Sequence, residues 1–298
     1  MVFLCRWEEG GSEGASCRKK LCKDARPEGT LPAMATTELP DKALLGMVHI
    51  GALPGTPRAD SPVDKLVGAA REEVKVLVEG GCDGILVENM NDLPYLRRQV
   101  GPEVVAAMSA VCLAVRASTD LPCGVQVLAG ANEAALAVAL VSGFNFIRAE
   151  GFVFGHVADE GWIDACAGPL LRYRRQIGAE HIAVWADVKK KHAAHALTAD
   201  VSLAETVKAA EFCGADVVIV TGEATGRETS SLDLAAAREA TRLPVAVGSG
   251  VTVENAAAML ESADVLIVGS ALKVDGHWRE KLDPKRVEAV VAAVHAAR

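Results

Sequence analysis

The chain of 298 residues is poor in aromatic residues, with four Trp, two Tyr and six Phe. It lacks any apolar run approaching the roughly 20 residues that a membrane-spanning helix needs. It has eight scattered cysteines but no Cys-x-x-Cys pair, which disfavours a zinc or disulfide role. Its formal net charge of −8 argues against a broad nucleic-acid surface. These absences predict a soluble protein with reduced thiols in the cytoplasm, without a membrane span or a nucleic-acid partner.

Small aliphatic residues must therefore form the core, because half of the chain is hydrophobic and little of that is aromatic. Such a composition is typical of buried parallel strands flanked by helices. Residues 1–40 differ, since they mix acidic and basic residues with Gly and Pro and show no periodicity. We therefore predict a disordered N-terminal extension over residues 1–40 and one α/β domain over residues 41–298.

Strand and helix patterns alternate eight times within that domain. This count, the absence of a first-turn Gly-x-Gly-x-x-Gly motif and the length of the domain favour a single (β/α)8 TIM barrel over a doubly wound sheet. The predicted strands cover residues 44–50, 84–88, 124–128, 145–149, 182–188, 216–220, 245–247 and 265–268, and the predicted helices cover residues 63–79, 102–118, 132–141, 162–177, 202–212, 232–240, 254–260 and 284–297.

The last two strands each end in a glycine-serine turn, formed by Gly248, Ser249 and Gly250 and by Gly269 and Ser270. Glycines let a backbone approach a ligand closely, and predicted helical segments from residue 254 and at 271–272 would add positive helix ends. Paired turns after strands seven and eight are the phosphate site of many (β/α)8 barrels. They predict a phosphorylated small molecule as ligand, whereas the alternative is that the glycines only make tight turns.

Polar residues gather where the predicted strands end, and chemistry in such barrels takes place at that end. Each has a structural alternative: His49 could bond a nearby carbonyl, Glu88 could pair with Arg148, Asn132 could be a helix N-cap, and Lys190 is expected in a solvated loop. The candidates are His49, Glu88, Asn89, Asn91, Asp92, Gln126, Asn132, Arg148, Glu150, Asp187, Lys189, Lys191, His192, Thr221 and Glu223.

Asp187 and Lys189 stand two positions apart, so strand alternation puts both on the same face as Trp185. This pair could hold a divalent metal such as Mg²⁺ or Mn²⁺, orient a substrate hydroxyl or shuttle protons. A Schiff base on Lys189 is a further route, but the neighbouring carboxylate favours an electrostatic role. Nothing in the sequence is specific for a flavin ring, so FMN is not expected.

Over residues 44–298 the chain resembles the BtpA family of TIM barrels. The matching stretches are Gly46–Pro57, Asp83–Asn89, Ile147–Glu150, Ala186–His192 and the two glycine-serine turns. The resemblance implies a single (β/α)8 domain. It also implies a link to photosystem I accumulation in photosynthetic relatives, and a place at the photosynthetic membrane or in a plastid in such a host. At the exit of the third strand the chain departs from the family pattern, so the resemblance assigns no role to Gln126 or Asn132.

Two functions follow from these observations. The first is an enzyme that acts on a phosphorylated sugar or nucleotide-like metabolite. Asp187, Glu88 and Glu150 would be acid/base groups or metal ligands, Lys189, Arg148 and His49 would stabilise negative charge, and Asn89, Gln126, Asn132, His192 and Thr221 would bind substrate. The second is a non-catalytic stability or assembly factor for a larger complex. Alanine-rich outer helices suit a homo-oligomer as well as they suit packing onto the sheet.

Overall fold

The computed structural model describes residues 39–190, 192–222 and 229–298. Residues 1–38 of the extension predicted over residues 1–40, together with Lys191 and Glu223, lie outside the described residues. In chain order the strands are β1 (Ala43–His49), β2 (Gly84–Glu88), β3 (Cys123–Gln126), β4 (Phe146–Ala149), β5 (His156–Ala158), β6 (Gly161–Ile163), β7 (Ala183–Val188), β8 (Ala193–Ala194), β9 (Val217–Val220), β10 (Val245–Val247) and β11 (Val265–Val268).

Eight of these strands pair in parallel and close into a barrel in the order β1-β11-β10-β9-β7-β4-β3-β2. The predicted (β/α)8 fold is thus confirmed. The surrounding helices are α1 (Val63–Glu79), α2 (Pro102–Arg116), α3 (Asn132–Ser142), α4 (Ala167–Gln176), α5 (Leu203–Phe212), α6 (Ser231–Ala240), α7 (Ala256–Met259) and α8 (Pro284–Ala296). None of the helices in the described ranges is long and apolar enough to cross a bilayer.

A second, smaller sheet was not predicted. Strands β6, β5 and β8 form a three-stranded antiparallel sheet built from the segments that follow β4 and β7. The helix predicted over residues 162–177 is wrong at its start, because Trp162 pairs with Val157 across β5 and β6. The helix begins only at Ala167, in α4. Loops after barrel strands often carry such additions, and they lie at the functional end of the barrel.

Only short helical segments follow the two glycine-serine turns. The helix predicted over residues 254–260 is reduced to the four-residue α7, whereas the short segment predicted at residues 271–272 is present as the single 3₁₀ turn Ser270–Leu272. Since a helix dipole needs several aligned peptide units, the expected contribution of helix N-termini to anion binding is wrong. Any phosphate affinity must come from backbone amides, hydroxyls and cationic side chains.

The strands are buried on both sides, which explains why their sequences are almost continuously apolar. One hydrophobic cluster fills the space between the barrel and its helices, and a second fills the barrel interior. Within the interior, the rings of Phe146 and Trp185 stack with their centroids 4.1 Å apart. This aromatic pair forms a solid floor below the carboxyl ends of β4 and β7.

Candidate active site at the barrel mouth

The barrel mouth has a simple sequence rule. On seven strands the residue at the mouth stands two positions after the last residue that the strand contributes to the interior cluster. Those last residues are Met47, Leu86, Phe146, Trp185, Ile219, Ala246 and Ile267. On β3 the corresponding interior position is Gly124, whose place is taken by the ring of Phe146. Because strand side chains alternate, the next inward positions form one layer, composed of His49, Glu88, Gln126, Arg148, Asp187, Thr221, Gly248 and Gly269.

A cavity of about 720 Å³ opens above this layer. That volume lies within the range usual for small-molecule sites, roughly 300–1,000 Å³. Polar and charged groups from the mouth face it together with apolar side chains such as Met90 and Leu128. The sequence-predicted residues that line it are His49, Glu88, Gln126, Arg148, Glu150, His192, Gly248, Ser249, Gly250, Gly269 and Ser270.

Arg148 and Asp187 form a buried ion pair at the centre of the mouth. The Nε of Arg148 donates to Oδ2 of Asp187 at 3.1 Å, and its Nη2 donates to Oδ1 at 3.1 Å. Burial alone lowers the pKa of Arg148, but the carboxylates of Asp187 and Glu88 outweigh it and the pKa is raised. Arg148 therefore stays charged and forms an ion pair with Asp187. Glu88, weighed from the sequence as the partner of Arg148, also acts on it electrostatically.

His49 and Glu88 lie side by side on β1 and β2, with His49 Nε2 3.9 Å from Glu88 Oε2. The Nδ1 of His49 lies 3.2 Å from the carbonyl oxygen of Trp278. A carbonyl can only accept, so Nδ1 carries a proton and donates it to this oxygen, and Nε2 is the ring nitrogen that faces Glu88. This orientation suits His49 to exchange a proton at Nε2, in the part of the mouth where Glu88 can stabilise a positive charge on the ring.

The two turn glycines make room for those charged groups. A methyl group on Gly248 would lie 2.6 Å from Cγ2 of Ile219 and 3.1 Å from Nη2 of Arg148. A methyl group on Gly269 would lie 3.1 Å from Cε1 of His49. Real Cβ atoms do not approach side chains this closely without displacement. Gly248 is therefore required by close approach to the site and not only by a tight turn, whereas a side chain at Gly269 would require a small shift of the His49 ring.

We expect Gly248→Ala to lower the free energy of unfolding by about 1–3 kcal/mol, because the added methyl group overpacks the mouth. Urea denaturation measures this change. The matched control is Gly68→Ala on α1, where a Cβ meets nothing within 4 Å and alanine should stabilise the helix by about 0.5–1 kcal/mol. Equal effects of the two substitutions would show that Gly248 is not sterically confined.

The phosphate-site candidates form one edge of the cavity, and cations that sequence reasoning missed lie beside them. The Oγ of Ser249 accepts a hydrogen bond from the backbone N–H of Gly222 at 2.9 Å, which joins the turns after β9 and β10. Lys285 and Arg286, in the first turn of α8, line the same cavity. The Nε of Arg286 donates to the carbonyl of Ala271 at 2.9 Å. This edge thus combines glycine-containing turns with exposed positive charge.

The roles expected of Lys189 and Lys190 are exchanged. Lys189 was expected to face inward beside Asp187, but its φ of 47° ends the strand alternation, and its Nζ donates to the carbonyl of Val201 at 2.6 Å. Lys190 was expected in a solvated loop, and that is wrong: it is 9% exposed, lines the main cavity and donates to Oε2 of Glu150 at 3.1 Å. Burial alone lowers the pKa of Lys190, but Glu150 reverses this and the pKa is raised.

Asn89 and Asn132 were expected to bind substrate, but their hydrogen bonds hold the loops of the mouth. The amide of Asn89 donates to Oδ2 of Asp92 and accepts from the backbone N–H of Leu128, both at 2.7 Å. Asp92 in turn accepts from the N–H of Leu53 at 2.8 Å, and burial raises the pKa of Asp92. The loop after β1, the most specific stretch of the family resemblance, is therefore fixed to the exits of β2 and β3.

Asn132 is not the N-cap weighed from the sequence. It is the first residue of α3, and its side chain makes no capping bond because Ala131 occupies the N-cap position. Its Nδ2 donates instead to the carbonyl of Glu150 at 2.8 Å. Thr221 is buried beneath Gly248, and His192 is exposed at the cavity rim.

The small sheet contributes to the cavity through the turn between β5 and β6. Asp159 and Glu160 in that turn line the cavity, and Tyr95 faces them from the segment after β2. Burial raises the pKa of Tyr95, with further contributions from the carboxylates of Glu88 and Glu150. Because the turn is a loop insertion with no periodic signal, only the pair of adjacent acidic residues before Gly161 could have indicated it.

A second cavity of about 20 Å³, room for one water molecule, shares Lys190 with the main one. It is lined by Asp187, Lys189, Lys190, His156 and His195 among others. Burial lowers the pKa of His156 to about 4, so this histidine is neutral at pH 7. Across residues 39–190, 192–222 and 229–298, three or more His, Cys, Asp or Glu side chains do not converge into a metal-binding group. The Mg²⁺ or Mn²⁺ prediction therefore has no ready-made ligand set there.

Comparison with solved structures finds the same fold at low sequence identity. Thiamine phosphate pyrophosphorylase of Pyrococcus furiosus superposes with a TM-score of 0.54 and 17% identity, covering 86% of this chain and 98% of that one. N-(5'-phosphoribosyl)anthranilate isomerase of the same organism gives 0.52 and 14%, covering 85% and 99%. At this level of identity the likeness concerns the barrel architecture alone.

Relatives with much higher identity span almost the whole barrel. An uncharacterized mitochondrial protein of Caenorhabditis elegans is 44% identical over 260 residues, which is 86% of this chain and 94% of that protein. The photosystem I biogenesis protein BtpA of Synechocystis is 35% identical over 252 residues, 84% of this chain and 87% of that protein. The model of the BtpA family matches residues 40–296. The resemblance seen in the sequence is thereby confirmed, and the chain belongs to the BtpA family.

Proposed function

We propose that this protein is an enzyme that binds a phosphorylated sugar or nucleotide-like metabolite at the barrel mouth and transforms it by acid/base chemistry. The observation that carries this proposal is the arrangement of one cavity of about 720 Å³. Glycine turns and cations form one edge of it, and ionisable side chains from other barrel strands form the rest. Such a division lets one part of a ligand be anchored while another part reacts.

The phosphate would bind at the edge formed by Gly248–Gly250 and Gly269–Ser270. Backbone amides and serine hydroxyls at such turns donate hydrogen bonds to phosphate oxygens, and Lys285 and Arg286 add positive charge nearby. Two barrels of the same fold, thiamine phosphate pyrophosphorylase and phosphoribosylanthranilate isomerase, are named after phosphorylated compounds. They support a phosphate ligand for this chain as well.

The reacting part of the ligand would lie over His49, Glu88 and Glu150. His49 Nε2 exchanges a proton while its Nδ1–H is held by the carbonyl of Trp278. Arg148 and Lys190 remain charged in the buried mouth and stabilise negative charge that develops on the substrate. Asp187 acts through Arg148, whose guanidinium it orients. Lys190, rather than Lys189, supplies the lysine of this site.

The first experiment is a thermal-shift and calorimetric screen with inorganic phosphate, sugar phosphates and nucleotides, each with and without Mg²⁺ or Mn²⁺. A ligand at 100 times its dissociation constant should add about 2.7 kcal/mol, a shift of a few degrees. Ser270→Asp places a carboxylate in the turn and should abolish the shift. Ser262→Asp, the same substitution before β11 at the other end of the barrel, should preserve it. If neither substitution alters binding, the phosphate lies elsewhere.

Turnover is tested by incubating each ligand that binds with the protein in D₂O and measuring deuterium by mass spectrometry. Proton transfer at carbon would incorporate deuterium, and Glu88→Gln or His49→Gln should suppress that incorporation while phosphate binding persists. Binding of a phosphorylated ligand with no chemical change to any of them would contradict the enzymatic part of the proposal.

The alternative is a non-catalytic assembly factor, and the name of the Synechocystis relative, a photosystem I biogenesis protein, is the observation that favours it. In that case the mouth would be dispensable, and substitutions on the outer helices would abolish function. The two functions are separated by testing whether Glu88→Gln and variants of the outer helices restore function to a strain that lacks the Synechocystis relative. Cytoplasmic location stays a prediction. Because the name of one relative places it in mitochondria, the mitochondrion is the compartment to compare with the cytoplasm.

A further inference from the structure

Two hydrogen-bond acceptors of the cavity are buried and have no donor within the described part of the chain. They are Oε1 of Gln126, a residue that is 2% exposed, and Oε2 of Glu160. Both residues line the main cavity. Buried acceptors are almost always satisfied, because leaving one without a donor destabilises the protein. Two such atoms in one cavity indicate groups that a ligand satisfies.

Their location relative to the glycine turns follows from the strand order. Gln126 ends β3, and the turns follow β10 and β11. Around the closed barrel, β3 is separated from that pair by β9, β7 and β4 on one side and by β1 and β2 on the other. Gln126 therefore lies across the mouth from the proposed phosphate edge. Glu160 extends over the cavity from the insertion after β4, the neighbour of β3.

The charges on that side select against a second anion. Arg148 is paired with Asp187, and Lys190 is paired with Glu150. The carboxylates of Asp159 and Glu160 are additional to these pairs and line the same cavity. A second phosphate or carboxylate there would face uncompensated negative charge and would bring acceptors to groups that need donors.

We infer that the ligand carries one anionic group, the phosphate, and that its opposite end presents hydrogen-bond donors, hydroxyl or ammonium, to Gln126 and Glu160. This inference rests on the proposed phosphate site and specifies the other half of the same ligand. Hydroxyl and ammonium groups share one property, since each donates hydrogen bonds and carries no negative charge. A sugar hydroxyl and an amino group both provide it, and the two are separated experimentally.

Four monophosphates of similar size test this by isothermal titration calorimetry. Glucose 6-phosphate supplies hydroxyls, glucosamine 6-phosphate adds an ammonium, 6-phosphogluconate adds a carboxylate, and cyclohexylmethyl phosphate has no hydroxyl. We expect glucose 6-phosphate or glucosamine 6-phosphate to bind at least about tenfold more tightly than the other two, because sites built for donors reject analogues that lack them. The better of the two identifies the donor.

Variants assign the effect to the two acceptors. Gln126→Leu and Glu160→Gln should each weaken the preferred compound by about tenfold or more, and glucosamine 6-phosphate should be the more sensitive to Glu160→Gln. Inorganic phosphate, which does not reach across the mouth, should keep its affinity in both variants. Glu133→Gln, on the exposed face of α3, removes the same charge away from the cavity and should change neither. Circular dichroism checks that each variant is folded.

The outcomes distinguish this inference from the function on which it rests. If phosphate binds and Ser270→Asp abolishes that binding, but all four compounds bind equally or the carboxylate binds best, the inference is overturned and the phosphate site stands. The same holds if Gln126→Leu weakens inorganic phosphate as much as the sugar phosphate. If none of the phosphorylated compounds binds, the proposed function fails and the inference fails with it.

Discussion

Replacing Arg148 with methionine is expected to lower the free energy of unfolding by about 3–5 kcal/mol. The guanidinium makes several hydrogen bonds to the carboxylate of Asp187, and both side chains are almost fully buried. Methionine approximates the length of the stem but leaves that carboxylate without its charged partner. The loss measured by urea denaturation at pH 7 should therefore far exceed that of Arg71→Met, an exposed position on α1 where changes stay within about 0.5 kcal/mol.

The double variant Arg148→Met with Asp187→Leu separates the two causes of that loss. Removing both charges also removes the carboxylate that the single variant leaves without its guanidinium, so the double variant should recover a large part of the stability. It should not recover ligand binding, because the positive charge at the centre of the mouth is lost. A double variant no more stable than Arg148→Met would mean that packing of the guanidinium, rather than its charge, holds this part of the mouth together.

Lys273→Met is expected to have an effect of similar size, again about 3–5 kcal/mol at pH 7. Lys273 is 2% exposed, and its Nζ donates to Oε1 of Glu73 at 3.0 Å. The other oxygen of Glu73 accepts from the backbone N–H of His49 at 3.3 Å. Removing Lys273 therefore leaves a partly buried carboxylate, whose side chain is 18% exposed, without its cation next to a residue of the site. Lys65→Met, at an exposed position on α1, is the control.

This loss should depend on pH in a defined direction. Burial raises the pKa of Glu73 above its ordinary value of 4.5, although Lys273 opposes the rise. The folded state thus holds this proton more tightly than the unfolded chain, and stability falls as pH increases from about 4.5 through the folded pKa. Without Lys273 that pKa rises further, so the variant should lose least near pH 4.5 and most at pH 7. A loss independent of pH would show that Glu73 does not bear the charge.

Most of the mouth could be predicted from the sequence because strand alternation and buried apolar strands leave a clear pattern. His49, Glu88, Gln126, Arg148 and Asp187 all stand where an apolar strand ends, and each occupies the inward position of its strand. The two glycine turns were visible for the same reason. What alternation cannot show is where a strand stops alternating, and Lys189 was misplaced because its positive φ turns the chain just after Val188.

Residues that act through loops were the least predictable. Asn89 has a side chain of the type that often binds ligands. Its role is nevertheless set by Asp92 and by the N–H of Leu128, which lies 39 residues away. Glu160 belongs to a turn between two three-residue strands, too short for a periodic signal. Both depend on long-range contacts that a local pattern does not encode.

The stacked rings of Phe146 and Trp185 also determine how molecules move through the protein. They block the barrel axis beneath Arg148, so a ligand that enters the mouth from above has no exit at the far end of the barrel. The ligand must leave through the same opening by which it enters, past Glu160 beside the cavity. Arrival and departure therefore compete for one route. Bulk added at that rim would slow both in equal measure, whereas bulk added beneath the floor would slow neither.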